Sequence, residues 1–183
     1  MYGLVNDALQ ELLIQRFGEE SWRAIAARAE VSEEVFVAHE GYDDAITYRL
    51  VGAACEELSL SAEQLLVDFG EHWILSTART RYPNLLRASG LREFLLNLPN
   101  LHARIALTFP HLAPPSFECV ELEDGSLEVR YRSHREGLQS FVLGLLQGLS
   151  RHFATPAAVE HVARKGEQGR DHDLFRLRLE AVS

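Results

Sequence analysis

The 183-residue chain lacks several features that mark specialised classes of protein. No apolar run approaches the roughly 18 residues that a transmembrane helix needs, so we expect no membrane span. The first residues lack the basic and apolar regions of a signal peptide, and two cysteines are too few for a disulfide framework. We therefore expect one cytoplasmic domain over residues 1–183, in which Cys55 and Cys119 are small core residues.

Basic residues are also scarce. The chain has 27 acidic and 18 basic residues, for a net charge of −9. Residues 1–70 hold 14 Asp or Glu against 4 Arg, whereas the remainder is nearly balanced. A protein that grips a phosphate backbone needs a basic face, so we do not expect nucleic-acid binding. The acidic pairs of the first part are expected on a solvated face.

Proline is absent before Pro83, which favours a helical N-terminal part. Apolar residues at helical spacing predict a helix over 4–17 that ends at Gly18, and a second over 19–30. Capping signals at Asp43 or Asp44 and at Ser61 start two further helices. The first of these runs to residue 58 and the second to just before Pro83. Another helix is predicted over 84–96, with Gly90 as a residue that can break it.

The second part mixes helices and strands. A short helix is predicted from residue 101 to about Phe109, and a long one over 137–153. Alternating segments predict strands over 117–122 and 127–133, joined by a turn, and a second hairpin over 159–164 and 174–179. The fold class is therefore α+β, with a helical N-terminal lobe packed on a lobe that has a small antiparallel sheet and helices. We place the two subdomains at about 1–65 and 66–183.

His102 is the first candidate for chemistry. On a helix it shares a face with Leu98, Ile105, Ala106 and Phe109, which places an imidazole on an apolar stripe. One interpretation is a core histidine that is hydrogen-bonded to the backbone. The other is a neutral imidazole whose Nε2 coordinates a metal in an apolar cavity, as a haem iron would require.

The second candidate is the segment 127–135. With period two, Tyr131, Ser133 and Arg135 lie at the polar end of one strand face that also carries Leu127 and Val129. Three donors without an acidic partner nearby in sequence suggest an anion such as a carboxylate, although such an alternation also arises by chance. Haem would use both candidates, because its iron binds histidine and its propionates accept hydrogen bonds.

The chain resembles the H-NOX family, the haem-nitric oxide/oxygen binding domains related to the haem domain of soluble guanylate cyclase. The most specific element of the resemblance is a Tyr-x-Ser-x-Arg motif, present as Tyr131, Ser133 and Arg135. The resemblance covers essentially the whole chain, and its other elements are Met1-Tyr2-Gly3, Phe69-Gly70-Glu71-His72-Trp73, Leu101-His102-Ala103-Arg104, Pro114-Pro115 and Leu143-Gly144-Leu145-Leu146-Gln147-Gly148.

The resemblance implies a role for each matching residue. His102 is the proximal ligand of the iron of haem b, and Tyr131, Ser133 and Arg135 hold the propionates between the two lobes. Pro115 matches the proline that presses on the porphyrin and distorts it. The residues that match the distal pocket are Val5, Leu9, Trp73, Phe141 and Leu145.

The implied function is a haem-based sensor, not an enzyme, that binds nitric oxide and carbon monoxide. Nitric oxide weakens the iron–His102 bond, and the lobes then shift, with Gly70 as a possible pivot. The implied partner is a histidine kinase, or alternatively a cyclic-nucleotide enzyme or a chemotaxis receptor. Oxygen-binding members use a distal tyrosine on the helix that spans 137–153 here, and this stretch has no tyrosine.

Three alternatives remain open at this stage. An oxygen carrier or oxygen sensor is the nearest, and the indole of Trp73 is either a donor to bound gas or core packing. A haem peroxidase would need a distal acid/base pair, which the sequence does not indicate. A haem-free interaction domain is the third alternative.

Overall fold

The computed structural model describes residues 1–32, 36–108 and 114–180, and the predicted helix end at Phe109 lies outside these ranges. Helix α1 (Gly3–Arg28) is one element in which Gly18 has a positive φ of 87°. Glycine adopts a positive φ without steric cost, so Gly18 interrupts the helical backbone. The interruption falls at the predicted boundary between the helices over 4–17 and 19–30. Among the described helices, none is long and apolar enough to cross a membrane.

The next helices begin at the predicted caps. Helix α2 (Asp44–Leu58) is capped by Asp43, whose side chain accepts from the backbone of Ala45 at 2.9 Å. Helix α3 (Ala62–His72) is capped by Ser61, which accepts from the backbone of Gln64. The chain continues through a π-helix (Trp73–Ala78) into a last turn, α4 (Arg79–Arg81), and helical structure stops before Pro83, as predicted.

The helix predicted over 84–96 is interrupted, and the interruption ends at Gly90, the residue that the sequence marked as a breaker. The structure has a 3₁₀ turn (Pro83–Leu86), an extended break, and a short helix α5 (Leu91–Leu96). The side chain of Glu93 accepts from the backbone of Ser89 at 2.9 Å, so this local bond sets the start of α5 after the break. Helix α6 (Leu98–Thr108) begins three residues earlier than expected because a proline fits the first turn of a helix.

The sheet has four antiparallel strands in the order β1-β2-β4-β3. Its members are β1 (Ser116–Glu121), β2 (Leu127–Arg132), β3 (Ala157–Ala163) and β4 (Asp173–Leu179), with helix α7 (Gln139–His152) between β2 and β3. The two predicted hairpins are present, but β2 ends one residue before the predicted limit. The α+β class is confirmed.

Two buried apolar clusters form the core. The first joins α1, α2 and α3, and the second joins the sheet, α5 and α7. Trp73 packs against both clusters, at the point where α3 becomes the π-helix. The free thiols Cys55 and Cys119 are half-buried at the first and second cluster respectively, and burial raises the pKa of Cys119 to about 11. The subdomain boundary at 65/66 stays a prediction.

Helices α3 and α7 approach each other through glycines. A Cβ on Gly70 would lie 2.2 Å from the backbone oxygen of Phe141, and one on Gly144 would lie 2.1 Å from that of Val67. Both distances are far inside van der Waals contact, so only glycine fits at these positions. Gly70, which the sequence suggested as a pivot, therefore lies in a tightly packed helix pair.

Candidate functional site

Helix α6 holds His102 in one tautomer. The ring nitrogen Nδ1 lies 3.1 Å from the carbonyl oxygen of Leu98, one turn earlier on the same helix. Because a carbonyl oxygen only accepts, Nδ1 carries the proton and the lone pair of the neutral ring lies on Nε2. Burial lowers the pKa of His102, and the hydrogen bond to Leu98 offsets this only in part. His102 is therefore held as a neutral imidazole with Nε2 ready to coordinate a metal.

The apolar surroundings expected for His102 are present in part. Leu98 is buried, and Ile105 and Ala106 are half-buried, whereas Phe109 lies outside the described residues. The sheet supplies an aromatic neighbour, because the ring centroids of His102 and Phe117 are 4.7 Å apart. The sequence reasoning had given Phe117 no role, and its only sequence signal is a large aromatic residue on an alternating strand.

The motif residues Tyr131, Ser133 and Arg135, here called the donor triad, stand at the end of β2. Tyr131 is buried in the strand, and the other two lie in the loop that follows it. Ser133 Oγ accepts from the backbone N–H of Arg135 at 3.0 Å. Burial is the main cause that raises the pKa of Tyr131, so the phenol keeps its proton.

Helix α2 supplies a residue that the sequence reasoning missed. Arg135 Nε donates to Asp44 Oδ2 at 2.8 Å, and Asp44 also pairs with the amino group of Met1. Burial raises the pKa of Asp44, but these two cationic partners outweigh it and hold the pKa below its ordinary value. The sequence has no acidic partner for Arg135 nearby along the chain, but the folded structure brings one, Asp44, from α2. This pair uses one of five guanidinium N–H donors, and Asp44 ties the donor triad to the helical lobe.

A second link joins α2 to the same loop. The hydroxyl of Tyr48, one turn after Asp44, donates to the backbone oxygen of Glu136 at 2.9 Å. Asp44 and Tyr48 lie four residues apart on α2 and bind the neighbouring residues 135 and 136. The loop that carries the donor triad is therefore fastened to α2 at two points.

The predicted distal residues fall on the apolar side of the helices. Leu9 is fully buried in the first cluster, and Val5, Trp73 and Phe141 pack against it. Leu145 packs against the second cluster, which Trp73 also touches. The other predicted contact residue, Pro115, is half-buried between α6 and β1. Among these positions, Trp73 is the one that packs against both clusters.

The residues present fit a haem. A haem needs a neutral nitrogen donor for the iron, hydrogen-bond donors for two carboxylates, and apolar surface for the porphyrin. His102 could provide the nitrogen, because its Nδ1 bond directs the lone pair to Nε2. The donor triad could provide the hydrogen bonds, and Phe117 lies between the two, in ring contact with both His102 and Tyr131.

An α+β fold with these features defines a class of domain that can hold a haem. The chain belongs to the H-NOX family, because the sequence profile of this family, described as "Haem-NO-binding", matches residues 2–161. H-NOX domains are haem-binding domains that sense diatomic gases.

Solved structures share the fold over nearly the whole chain. An H-NOX protein from S. oneidensis in the Fe(II)NO ligation state has a TM-score of 0.88 at 18% identity, and the match covers 99% of this chain and 100% of that one. An unliganded Fe(II) H-NOX mutant from K. algicida has a TM-score of 0.85 at 25% identity, over 99% and 97% of the two chains.

Curated relatives are larger proteins. Soluble guanylate cyclase gcy-31 of Caenorhabditis elegans is 26% identical over 180 residues, which are 97% of this chain and 26% of that protein. Soluble guanylate cyclase gcy-35 of the same organism is 29% identical over 93% of this chain and 26% of its own length. Soluble guanylate cyclase 89Db of Drosophila melanogaster is 23% identical over 84% of this chain. The chain thus spans about a quarter of the length of these relatives.

Proposed function

We propose that this chain is a haem-based sensor of nitric oxide, which also binds carbon monoxide. The observation that carries the proposal is the hydrogen bond from His102 Nδ1 to the carbonyl of Leu98. It leaves Nε2 as the metal-binding nitrogen of a ring that burial keeps neutral. We propose haem b as the cofactor and His102 as the proximal ligand.

The donor triad would hold the cofactor by its two propionates. The hydroxyls of Tyr131 and Ser133 and the guanidinium of Arg135 can donate to two propionates, and a guanidinium binds a carboxylate especially well. Asp44 limits the freedom of Arg135 and balances part of its charge. When bound, haem would supply a ferrous iron able to coordinate nitric oxide, with His102 as the residue that holds the iron and whose bond to it would weaken.

The distal region favours nitric oxide and carbon monoxide over oxygen. Bound oxygen carries partial negative charge and is stabilised by a buried donor, whereas nitric oxide needs no such help. Helix α7 has no tyrosine, and the proposed distal residues other than Trp73 have no side-chain donor: Val5, Leu9, Phe141 and Leu145.

The signal would begin on α6. His102 is fixed to the helix backbone through Leu98, so a change in its bond to the cofactor acts directly on α6. Helix α6 packs on β1, and Pro115, the proposed residue of porphyrin distortion, immediately precedes that strand. A shift of α6 would therefore change its packing on β1, and we propose that the sheet passes this change on to the helical lobe, as a switch between two states.

The output passes to a partner protein in this proposal, and the chain has no catalytic role of its own. A histidine kinase is the first candidate partner, with a cyclic-nucleotide enzyme or a chemotaxis receptor as alternatives. The acidic helical lobe is a candidate docking surface, because charge steers association. Two free thiols are consistent with a cytoplasmic location, which we also propose.

The test is the absorption spectrum of the reduced protein, alone and with nitric oxide, carbon monoxide or air. A five-coordinate histidyl haem that binds both gases and forms no stable oxygen complex supports the proposal. A stable oxygen complex would instead favour the oxygen carrier or oxygen sensor. A chain that takes up no haem despite ample supply would overturn the cofactor assignment.

Two variants test the individual residues. His102→Gly should lose stable haem binding unless imidazole is added, whereas His152→Gly, at the end of α7, should keep it. Arg135→Ala should speed haem loss. A normal histidyl spectrum in His102→Gly would remove the ligand assignment, and an unchanged rate of haem loss in Arg135→Ala would contradict the role of the donor triad.

A further inference from the structure

Three aromatic rings form a continuous row from α6 to the donor triad. The ring centroids of His102 and Phe117 are 4.7 Å apart at an interplanar angle of 44°. Those of Phe117 and Tyr131 are 5.2 Å apart at 43°. Phe117 also lies directly opposite Tyr131 in the register of β1 and β2, so the second contact is a cross-strand pair.

The place of Phe117 is set by the backbone around it. It is the second residue of β1, directly after the segment that contains Pro114 and Pro115, and its side chain is 7% exposed. It belongs to the buried cluster of the sheet, where packing leaves a large ring little freedom. The ring is therefore a rigid surface against which His102 lies.

His102 needs such a surface. The hydrogen bond to Leu98 fixes Nδ1, but rotation of an imidazole about its last side-chain bond is broad, and one hydrogen bond restrains it only in part. The ring of Phe117 supplies the second restraint. A metal ligand that is held by two restraints keeps a single orientation.

We propose that Phe117 is the positioning residue of His102. This inference rests on the proposed function, because it concerns the same site. Phe117 sets the direction in which Nε2 faces the metal that the proposed function places there.

The experiment compares three variants as holoproteins. Phe117→Leu keeps an apolar side chain but removes the flat ring. Phe117→Tyr keeps the ring. Phe94→Leu is the matched control, because Phe94 is also buried in the same cluster but packs on Phe153, at 5.4 Å between centroids.

The main measurement is the iron–histidine stretching band in the resonance Raman spectrum of the ferrous protein. Phe117→Leu should shift and broaden this band, because the imidazole takes more than one orientation. Phe117→Tyr should restore a narrow band, and Phe94→Leu should leave it as in the unaltered chain. The same position and width of the iron–histidine band in Phe117→Leu and Phe94→Leu would overturn the proposal.

A second measurement does not depend on haem. With histidine labelled by ¹³C, the ring-proton shifts of His102 report its packing against an aromatic ring. These chemical shifts should change in Phe117→Leu and remain the same in Phe94→Leu. Unchanged chemical shifts in Phe117→Leu would also overturn the proposal. If the unaltered chain shows no iron–histidine band, the proposed function fails, while these shifts still decide whether Phe117 positions the imidazole.

Discussion

Arg135 Nε and Asp44 Oδ2 lie 2.8 Å apart, although 91 positions separate the two residues in the chain. The bond joins the loop after β2 to the start of α2, and the amino group of Met1 binds the same carboxylate. Three separate parts of the sequence thus meet at Asp44. The side chain of Arg135 is only 11% exposed, so this ion pair is better shielded than a surface pair.

Asp44→Asn should therefore destabilise the fold and loosen the donor triad. Removing one partner of a shielded charged hydrogen bond costs about 1 to 2 kcal/mol, and we expect that loss in urea unfolding together with faster haem release. Glu56→Gln, which removes an exposed partner of Arg28, is the control and should cost less than about 0.5 kcal/mol. Equal effects of the two substitutions would show that Asp44 has no special role.

Gly144→Ala should disrupt the contact between α3 and α7. The new Cβ would lie 2.1 Å from the backbone oxygen of Val67, so the helices must separate, at a cost of about 1 to 3 kcal/mol. Gly52→Ala is the matched control at an exposed position of α2, where a Cβ meets none of the described residues within 4 Å, and it should stabilise by about 0.5 to 1 kcal/mol. Thermal unfolding measures both, and a neutral Gly144→Ala would contradict the close packing.

Acidification should destabilise the chain through His72. Burial is the main cause that lowers its pKa below 6.5, and its buried Nε2 has no hydrogen-bond partner among the described residues and lies 4.0 Å from Glu11 Oε2. The unfolded chain therefore takes up a proton at a higher pH than the folded chain does. The contribution of neutral His72 to the free energy of unfolding is fully present above about pH 6.5 and is lost as the pH falls towards the lowered pKa. The lowered pKa of His102 acts in the same direction.

The variant His72→Gln isolates this contribution. Glutamine stays neutral, so the free energy of unfolding should fall less steeply between pH 7 and pH 5 than in the unaltered chain. Above pH 7.5 the difference between the two chains should not change with pH. The same slope in both chains would mean that His72 does not cause the acid sensitivity.

Leu145→Tyr should give the distal region a hydrogen-bond donor. One buried hydrogen bond to bound oxygen is worth about 1 to 3 kcal/mol, or roughly 5- to 150-fold in affinity. We expect a longer-lived oxygen complex when the reduced protein meets air. Leu145→Phe has a similar ring without the hydroxyl and should form no such complex. An equally long-lived complex in both variants would assign the effect to ring size rather than to the donor.

Local signals allowed much of the fold to be predicted. The caps at Asp43 and Ser61, the break at Gly18 and both hairpins depend on neighbours in sequence, and such interactions can be read from a pattern. The helix over 84–96 is interrupted ahead of Gly90, a breaker that the sequence shows, whereas the bond between Ser89 and Glu93 at the start of α5 is visible only in the structure. The α+β class followed from the pattern of predicted helices and alternating strands, and the family followed from motifs that stand intact in the chain.

The sequence by itself determined which chemical groups the chain has: an imidazole on an apolar helix, a phenol, a hydroxyl and a guanidinium on alternating positions, and glycines at helical spacing. Only the tertiary structure decided which groups meet. Asp44 reaches Arg135, Tyr48 reaches Glu136, and Phe117 lies between His102 and Tyr131. The physical reason is that these contacts come from packing of distant segments, which local hydrogen bonds and hydrophobic periodicity do not encode.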